Sequence, residues 1–224
     1  MIIVDKIETW GFRHAIRGMR NPMNSWNRSD SYWDLDEGGF TIGENDLQLM
    51  QKLYANGQTH RKYLRQIFVS MDITAPLYWW SEFDTYKVGT TANSCSKMHK
   101  LLHKPFEMSD FSFDHLPGYR KEIKHFQPEV NEELARPIVD TLNELRDSYF
   151  SCEYSVEKKR IWYAILQLLP ESYNQKRTVT MSYENVMNIL DTRQNHKLDE
   201  WVEFCGILKT LPYITEIRGN QDGK

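Results

Sequence analysis

Residues Ile67 to Ile73 set the first constraint on this chain. Ile67, Val69, Met71 and Ile73 alternate with Phe68, Ser70 and Asp72, so a strand here turns one apolar row into a core and the other row away from it. Ala75-Pro76 closes the run, and Leu77-Tyr78-Trp79-Trp80-Ser81-Glu82-Phe83 reads as an aromatic helix. A Gly/Thr/Asn/Ser loop follows and sets Asn93, Ser94, Cys95, Ser96 and Lys97 ahead of His99 and His103. Small polar groups directly after apolar bulk mark a surface that holds a polar ligand.

The flanking sequence supplies further elements. Ile2, Ile3, Val4, Ile7 and Trp10 make a β-type opening, and Phe12 to Met19 a brief helix. Residues 20–31 are rich in turn formers, with Arg13, Arg17, Arg20 and Arg28 set among Asn, Ser and Trp. That composition suits gripping a phosphate and stacking on a base, or a solvated loop anchored by Trp26 and Trp33. After a turn at Gly38-Gly39, Leu47, Leu49, Met50, Leu53 and Tyr54 predict a helix over 44–56 stopped by Gly57. The basic run His60-Arg61-Lys62 with Arg65 serves an anionic ligand or forms a helix end facing water.

Residues 104–128 have little periodicity and hold Pro105, Pro117, Gly118 and Pro128, which predicts an irregular insertion of the lid or subunit-contact type. Helical spacing returns over 129–149, with a kink at Pro137, and over 156–169; the Leu and aromatic stripes of both are read as core. A short β segment at 178–182, a helix over 183–193 with Asn185 and Asn188 off its inward face, and a last helix from His196 to Pro212 complete one domain of 224 residues.

The net charge of −3 provides no positive field for a nucleic-acid polymer or an acidic membrane. Three scattered cysteines exclude a disulfide framework or zinc ribbon, and no apolar run approaches the ~18 residues of a membrane span. The amino terminus carries no secretory pattern, so the expectation is a cytoplasmic protein. Dinucleotide, phosphate-loop, zinc-protease and nucleophile-elbow motifs are absent. Cys95 reads as a nucleophile activated by Lys97 or as a small buried residue. His99 and His103 bind a metal only with a third ligand, and none is in evidence, so no metal site is assigned.

Several features in order resemble the flavin-dependent thymidylate synthase (ThyX-type) family. His60 opens the first family element, the strand Ile67–Ile73 leads to Ala75-Pro76, and Met187-Asn188-Ile189-Leu190-Asp191-Thr192-Arg193 is similar to the family's late M-N-x-L-x-x-R. Laid on the family signature, R-H-R falls on Thr85-Tyr86-Lys87, N-E on Ala92-Asn93, the second Ser on Cys95 and R-Y on Lys97-Met98. Lys62 stands for a family Ser/Thr, and Arg65-Gln66 for Glu-His.

The resemblance implies an α+β fold, a central antiparallel or mixed sheet packed with several helices, and a homotetramer. It implies FAD, with NADPH and methylenetetrahydrofolate as co-substrates, and transfer of a one-carbon unit to C5 of a pyrimidine nucleotide resembling dUMP, in dTMP biosynthesis. By that likeness Asn93, Ser94, Ser96, Lys97 and Arg193 hold the nucleotide, and His60, Lys62, Asn188, Tyr86 and Lys87 meet flavin. Cys95, Tyr86 and Lys87 take the catalytic positions. The other reading is a non-catalytic nucleotide-binding protein that keeps the fold.

Overall fold

The computed structural model describes residues 1–33, 39–120, 125–130 and 132–219, with only the backbone at 98, 99, 117–120, 125–130, 132 and 133. Gly38 of the expected Gly38-Gly39 turn lies outside the described residues. In chain order the elements are β1 (Ile3–Trp10), α1 (Phe12–Arg20), β2 (Tyr32–Trp33), β3 (Phe40–Thr41), α2 (Glu44–Ala55), β4 (Phe68–Pro76), α3 (Leu77–Phe83) and β5 (Thr90–Ser94). There follow α4 (Lys97–Lys100), β6 (Pro117–Arg120), β7 (His125–Val130), α5 (Glu132–Ser151), α6 (Ser155–Leu168), β8 (Asn174–Ser182), α7 (Tyr183–Arg193), α8 (Asp199–Lys209) and α9 (Ile214–Arg218).

Four strands form a sheet in the order β1-β4-β8-β5, and β2/β3 and β6/β7 form antiparallel pairs. Thr178 Oγ1 donates to Asp72 Oδ1 at 2.6 Å and Thr180 Oγ1 to Ser70 Oγ at 3.1 Å. One number rises as the other falls, so β4 and β8 run antiparallel. The chain divides into two compact units, Met1–Ile3 with Thr74–Asp84 and Ser94–Arg177, and Val4–Ile73 with Thr85–Asn93 and Thr178–Lys224. Four of the five boundaries fall within β1, β4, β5 and β8, and the fifth follows α3.

The larger unit buries Val69, Met71 and Ile73 of β4, as the alternation predicts, together with Val186, Met187, Ile189 and Leu190 of α7 and Trp201, Phe204 and Leu208 of α8. In α7, Ser182 is the N-cap, its hydroxyl accepting from the Asn185 amide at 3.4 Å. Gly57, at φ +89, terminates α2 where the sequence predicts a stop.

The other unit packs Leu101, Leu102, Phe106, Phe111 and Phe113 against Leu142 of α5 and Ile165 of α6. Three expectations are corrected here and in β5. The stretch 104–128 is not irregular throughout: among its described residues a 3-10 turn at Met108–Asp110, capped by the reciprocal Glu107 and Asp110 side chains, precedes the antiparallel pair β6 and β7. The phenylalanines meet one another across irregular spacings and reach Tyr173 far along the chain, so no regular period announces them. The loop after Gly89 is the strand β5, which the polar composition of Thr90–Ser94 conceals. Only part of the α5 and α6 stripe is core, for Leu134, Ile138 and Leu168 are 47%, 36% and 54% exposed.

Candidate functional site

The larger unit carries a cleft of about 1090 Å³ between the end of α1, the turns that follow it, α2 and the 3-10 turn Lys62–Gln66. Arg20, Arg28, Lys52, His60 and Lys62 line it, among asparagines and glutamines such as Asn24, Asn45 and Gln48. No described residue of the lining is a carboxylate. In a chain of net charge −3 that is a local reversal of sign.

One wall is fixed by a buried ion pair. Arg20 donates from Nε to Asp46 Oδ1 at 2.5 Å and from Nη1 to the Ser25 carbonyl at 3.2 Å. Asp46 Oδ2 also accepts from the hydroxyls of Ser29 (2.7 Å) and Ser31 (2.6 Å). Burial pushes the Asp46 carboxyl up, but the hydrogen bonds from Ser31, Ser29 and Arg20 and the Arg20 charge outweigh it and hold the carboxyl below its usual range.

Beside the basic rim, Arg61, mostly buried, and Arg65, half exposed, both pair with α7. Arg65 grips Glu184 through Nε and through Nη2 at 3.2 Å, and Arg61 Nη2 donates to Asn188 Oδ1 at 3.1 Å. The run at 60–65 thus has two roles: His60 and Lys62 are exposed on the cleft, while Arg61 and Arg65 pair with α7. The amide oxygen of Asn188, expected to meet flavin, is already engaged by Arg61.

A hydrogen-bonded relay continues along α7. Thr192 Oγ1 donates to the Asn188 carbonyl at 2.7 Å, so the Tyr86 hydroxyl, 2.9 Å away, donates to Thr192 and accepts from Arg193 Nε at 3.0 Å. The Arg193 guanidinium lies 5.0 Å from the centre of the Trp201 ring and 5.8 Å from that of Tyr86. The turn bearing Tyr86 and exposed Lys87 is pinned by Asn185, whose Nδ2 donates to the Val88 carbonyl (2.5 Å) and Thr90 Oγ1 (2.7 Å). Asn185 is buried, 8% exposed, against the expectation of an outward face.

Sequence reasoning missed Asn185, Asp46, Glu184 and the stacking role of Trp201. Their signal is partnership between residues 16 to 119 positions apart, as Asp46 with Asp30 and Arg65 with Glu184 illustrate, and no local pattern encodes it. Asn93 is exposed on β5 in this unit.

In the other unit, Ser94 ends β5 and Cys95, Ser96 and Lys97 lead into α4. The Cys95 amide donates to the Lys176 carbonyl at 2.9 Å, and Gln175 Nε2 donates to the Cys95 carbonyl at 2.8 Å. These bonds hold the backbone while the thiol is exposed, so Cys95 is not the small buried residue of the alternative reading. It lines a cleft of about 210 Å³ with Ser96, Lys97, Lys100 and Asp110. Among the described residues no His, Cys, Asp and Glu group fit for a metal ion occurs, and no helix is long and apolar enough to cross a membrane.

No family model matches this chain, and no curated protein matches it in sequence. Solved structures do. A flavin-dependent thymidylate synthase ThyX from Helicobacter pylori, complexed with FAD and dUMP, is similar with a TM-score of 0.64 at 19% identity, over 97% of this chain and 96% of that one. A second structure of the Helicobacter pylori ThyX with FAD and dUMP has a TM-score of 0.61 at 16% identity, over 97% and 94%. The UMP/dUMP methylase PolB from Streptomyces cacaoi, bound with 5-Br dUMP, has a TM-score of 0.60 at 12% identity, over 94% and 89%. With its antiparallel sheet and surrounding helices, this chain has the α+β fold of the flavin-dependent thymidylate synthases, as a distant likeness of them.

Proposed function

We propose that this protein binds FAD in the large cationic cleft and transfers a one-carbon unit to C5 of a pyrimidine nucleotide, as a thymidylate synthase-like enzyme. The observation that carries the reading is the carboxylate-free lining. A cleft of about 1090 Å³ lies just above the roughly 300–1,000 Å³ span of small-molecule and cofactor sites, room enough for a dinucleotide. Its amides and hydroxyls suit sugar and pyrophosphate oxygens, and Arg28, Lys52 and Lys62 form no ion pair among the described residues, leaving their charge for an anion. The donor set therefore fits the group.

His60 and Lys62 then bind the cofactor with Asn188 held by Arg61 behind them, and Tyr86 orients Arg193 toward the nucleotide. By the family likeness, Asn93 in the larger unit and Ser94, Cys95, Ser96 and Lys97 in the other are the further candidate nucleotide contacts, and Lys87 supplies exposed charge. When bound, the flavin supplies the redox chemistry, and the residues supply placement and electrostatics. NADPH and methylenetetrahydrofolate are the co-substrates in this reading, and the protein acts as a homotetramer in the cytoplasm.

The commitment of Arg193 Nε to Tyr86 favours a second reading, a nucleotide-binding protein without turnover. Purified protein reconstituted with FAD is expected to show the visible flavin band, and the Arg28→Gln/Lys62→Gln variant to bind FAD about tenfold more weakly, the loss of roughly one charge-assisted hydrogen bond. Colourless protein that ignores FAD overturns the assignment. Release of tritium from C5-labelled dUMP in the presence of NADPH and the folate separates enzyme from binder.

A further inference from the structure

We propose that a second cleft, beside α1 and distinct from the large one, binds a phosphorylated aromatic small molecule of the nucleoside monophosphate class. It encloses about 410 Å³, well below the larger cleft and within the span of small-ligand sites. Arg13, Arg17 and Arg20 line it, spaced four and three apart and so on one face of α1. Arg13 and Arg17 are exposed, and their side chains form no ion pair or hydrogen bond among the described residues. Arg20 is only 4% exposed, and beyond its bonds to Asp46 and Ser25 its Nη2 is buried without a hydrogen-bond partner.

Arg13 and Arg17 bring two guanidiniums without an ion pair to a lining that has no carboxylate among its described residues, beside an Arg20 whose charge Asp46 balances, and an anion there meets their uncompensated charge. Phosphate alone would leave the other half of the cleft unused. Trp26, Tyr32 and Trp33 also line it, at 50%, 56% and 58% exposure, more aromatic area than a solvated surface favours. The Trp26 indole is held in place, its Nε1 donating to Asn21 Oδ1 at 2.8 Å. Flat rings beside guanidiniums select a ligand carrying both a base and a phosphate. The small volume favours one nucleotide over a dinucleotide.

The inference stands independently of the flavin assignment, and the test keeps the two apart. Adenosine 5′-monophosphate, adenosine and inorganic phosphate are titrated into the full-length protein, read by tryptophan fluorescence and calorimetry. The monophosphate is expected to saturate and quench, with adenosine and phosphate each about tenfold weaker, the loss of one anchoring interaction. Arg13→Gln/Arg17→Gln, at exposed positions, is expected to weaken the monophosphate by about the same factor, with thermal unfolding and FAD binding unchanged. Arg28→Gln/Lys62→Gln in the larger cleft is expected to leave monophosphate affinity intact. No saturation at low-millimolar concentration, equal affinity for adenosine or for phosphate, or a loss that follows the Arg28/Lys62 variant instead overturns the proposal.

Discussion

Asp46 shows most directly how one side chain shapes the large cleft. Its carboxylate gathers Arg20, Ser29 and Ser31, so it fixes the end of α1 against α2 and the turn between them. Removing one partner of a buried pair leaves the other charge uncompensated, and Asp46→Ala is expected to cost about 3 kcal/mol in urea unfolding. The pH dependence has a definite sign. A carboxyl depressed in the folded state contributes in full above its unfolded value near ~4, and the contribution disappears as pH falls through the lower folded value. Asp46→Asn is therefore expected to flatten the acid limb of the stability profile, measured by thermal unfolding at successive pH values; an unchanged limb removes Asp46 from the account. Arg20 is readable in the sequence as a cation in a turn-rich segment. That it serves a buried carboxylate is not, because Asp46 lies 26 residues away on another helix.

At the level of elements, α7 and the turn before β5 form one device. The N-cap Ser182 starts α7, Asn185 in its first turn reaches back to the 88–90 backbone and side chain, and Gly89 at φ +72 lets the chain reverse there. This places Tyr86 against Thr192 and Arg193 at the far end of the same helix. Asn185→Ala removes both anchors and is expected to lower stability by about 2 kcal/mol, two buried hydrogen bonds less relaxation, in denaturant titrations. A loss within experimental scatter would mean that the turn holds itself. The sequence reveals α7 from Tyr183 to Arg193 and the alternation of β4, because each carries its period in adjacent residues. It conceals β5, whose Thr-Thr-Ala-Asn-Ser is strand only through pairing with β8. It conceals α9 as well, which begins after Tyr213 in a left-handed conformation at φ +61. The candidate site divides likewise: His60, Lys62, Tyr86 and Arg193 are legible as chemistry, whereas the Asn188 and Arg193 side chains engaged within the protein are not.

Across the whole molecule, apolar surface left open on α5 and α6 argues for self-association. Leu134 and Ile138 stand one helical turn apart on α5, and Tyr163 and Leu168 on α6 are 48% and 54% exposed. The spacing that predicts a core is present, but folding of this chain fully buries Leu142 and Ile165 of it, with Ala135 and Val139 from the neighbouring positions of α5. A stripe that keeps core periodicity while facing solvent has the composition of an interface between copies. Light scattering on the purified protein is expected to return a multiple of the 26.7 kDa chain mass. Ile138→Asp would place an unpaired charge in that contact and is expected to lower the mass while leaving the far-UV spectrum of the fold intact, because the side chain is already 36% exposed in the single chain. A wild-type mass of one chain at all concentrations would show that the stripe is surface after all. It would also remove the homotetramer from the proposed enzyme, since nothing else in the described residues accounts for so much exposed Leu, Ile and Tyr on two neighbouring helices.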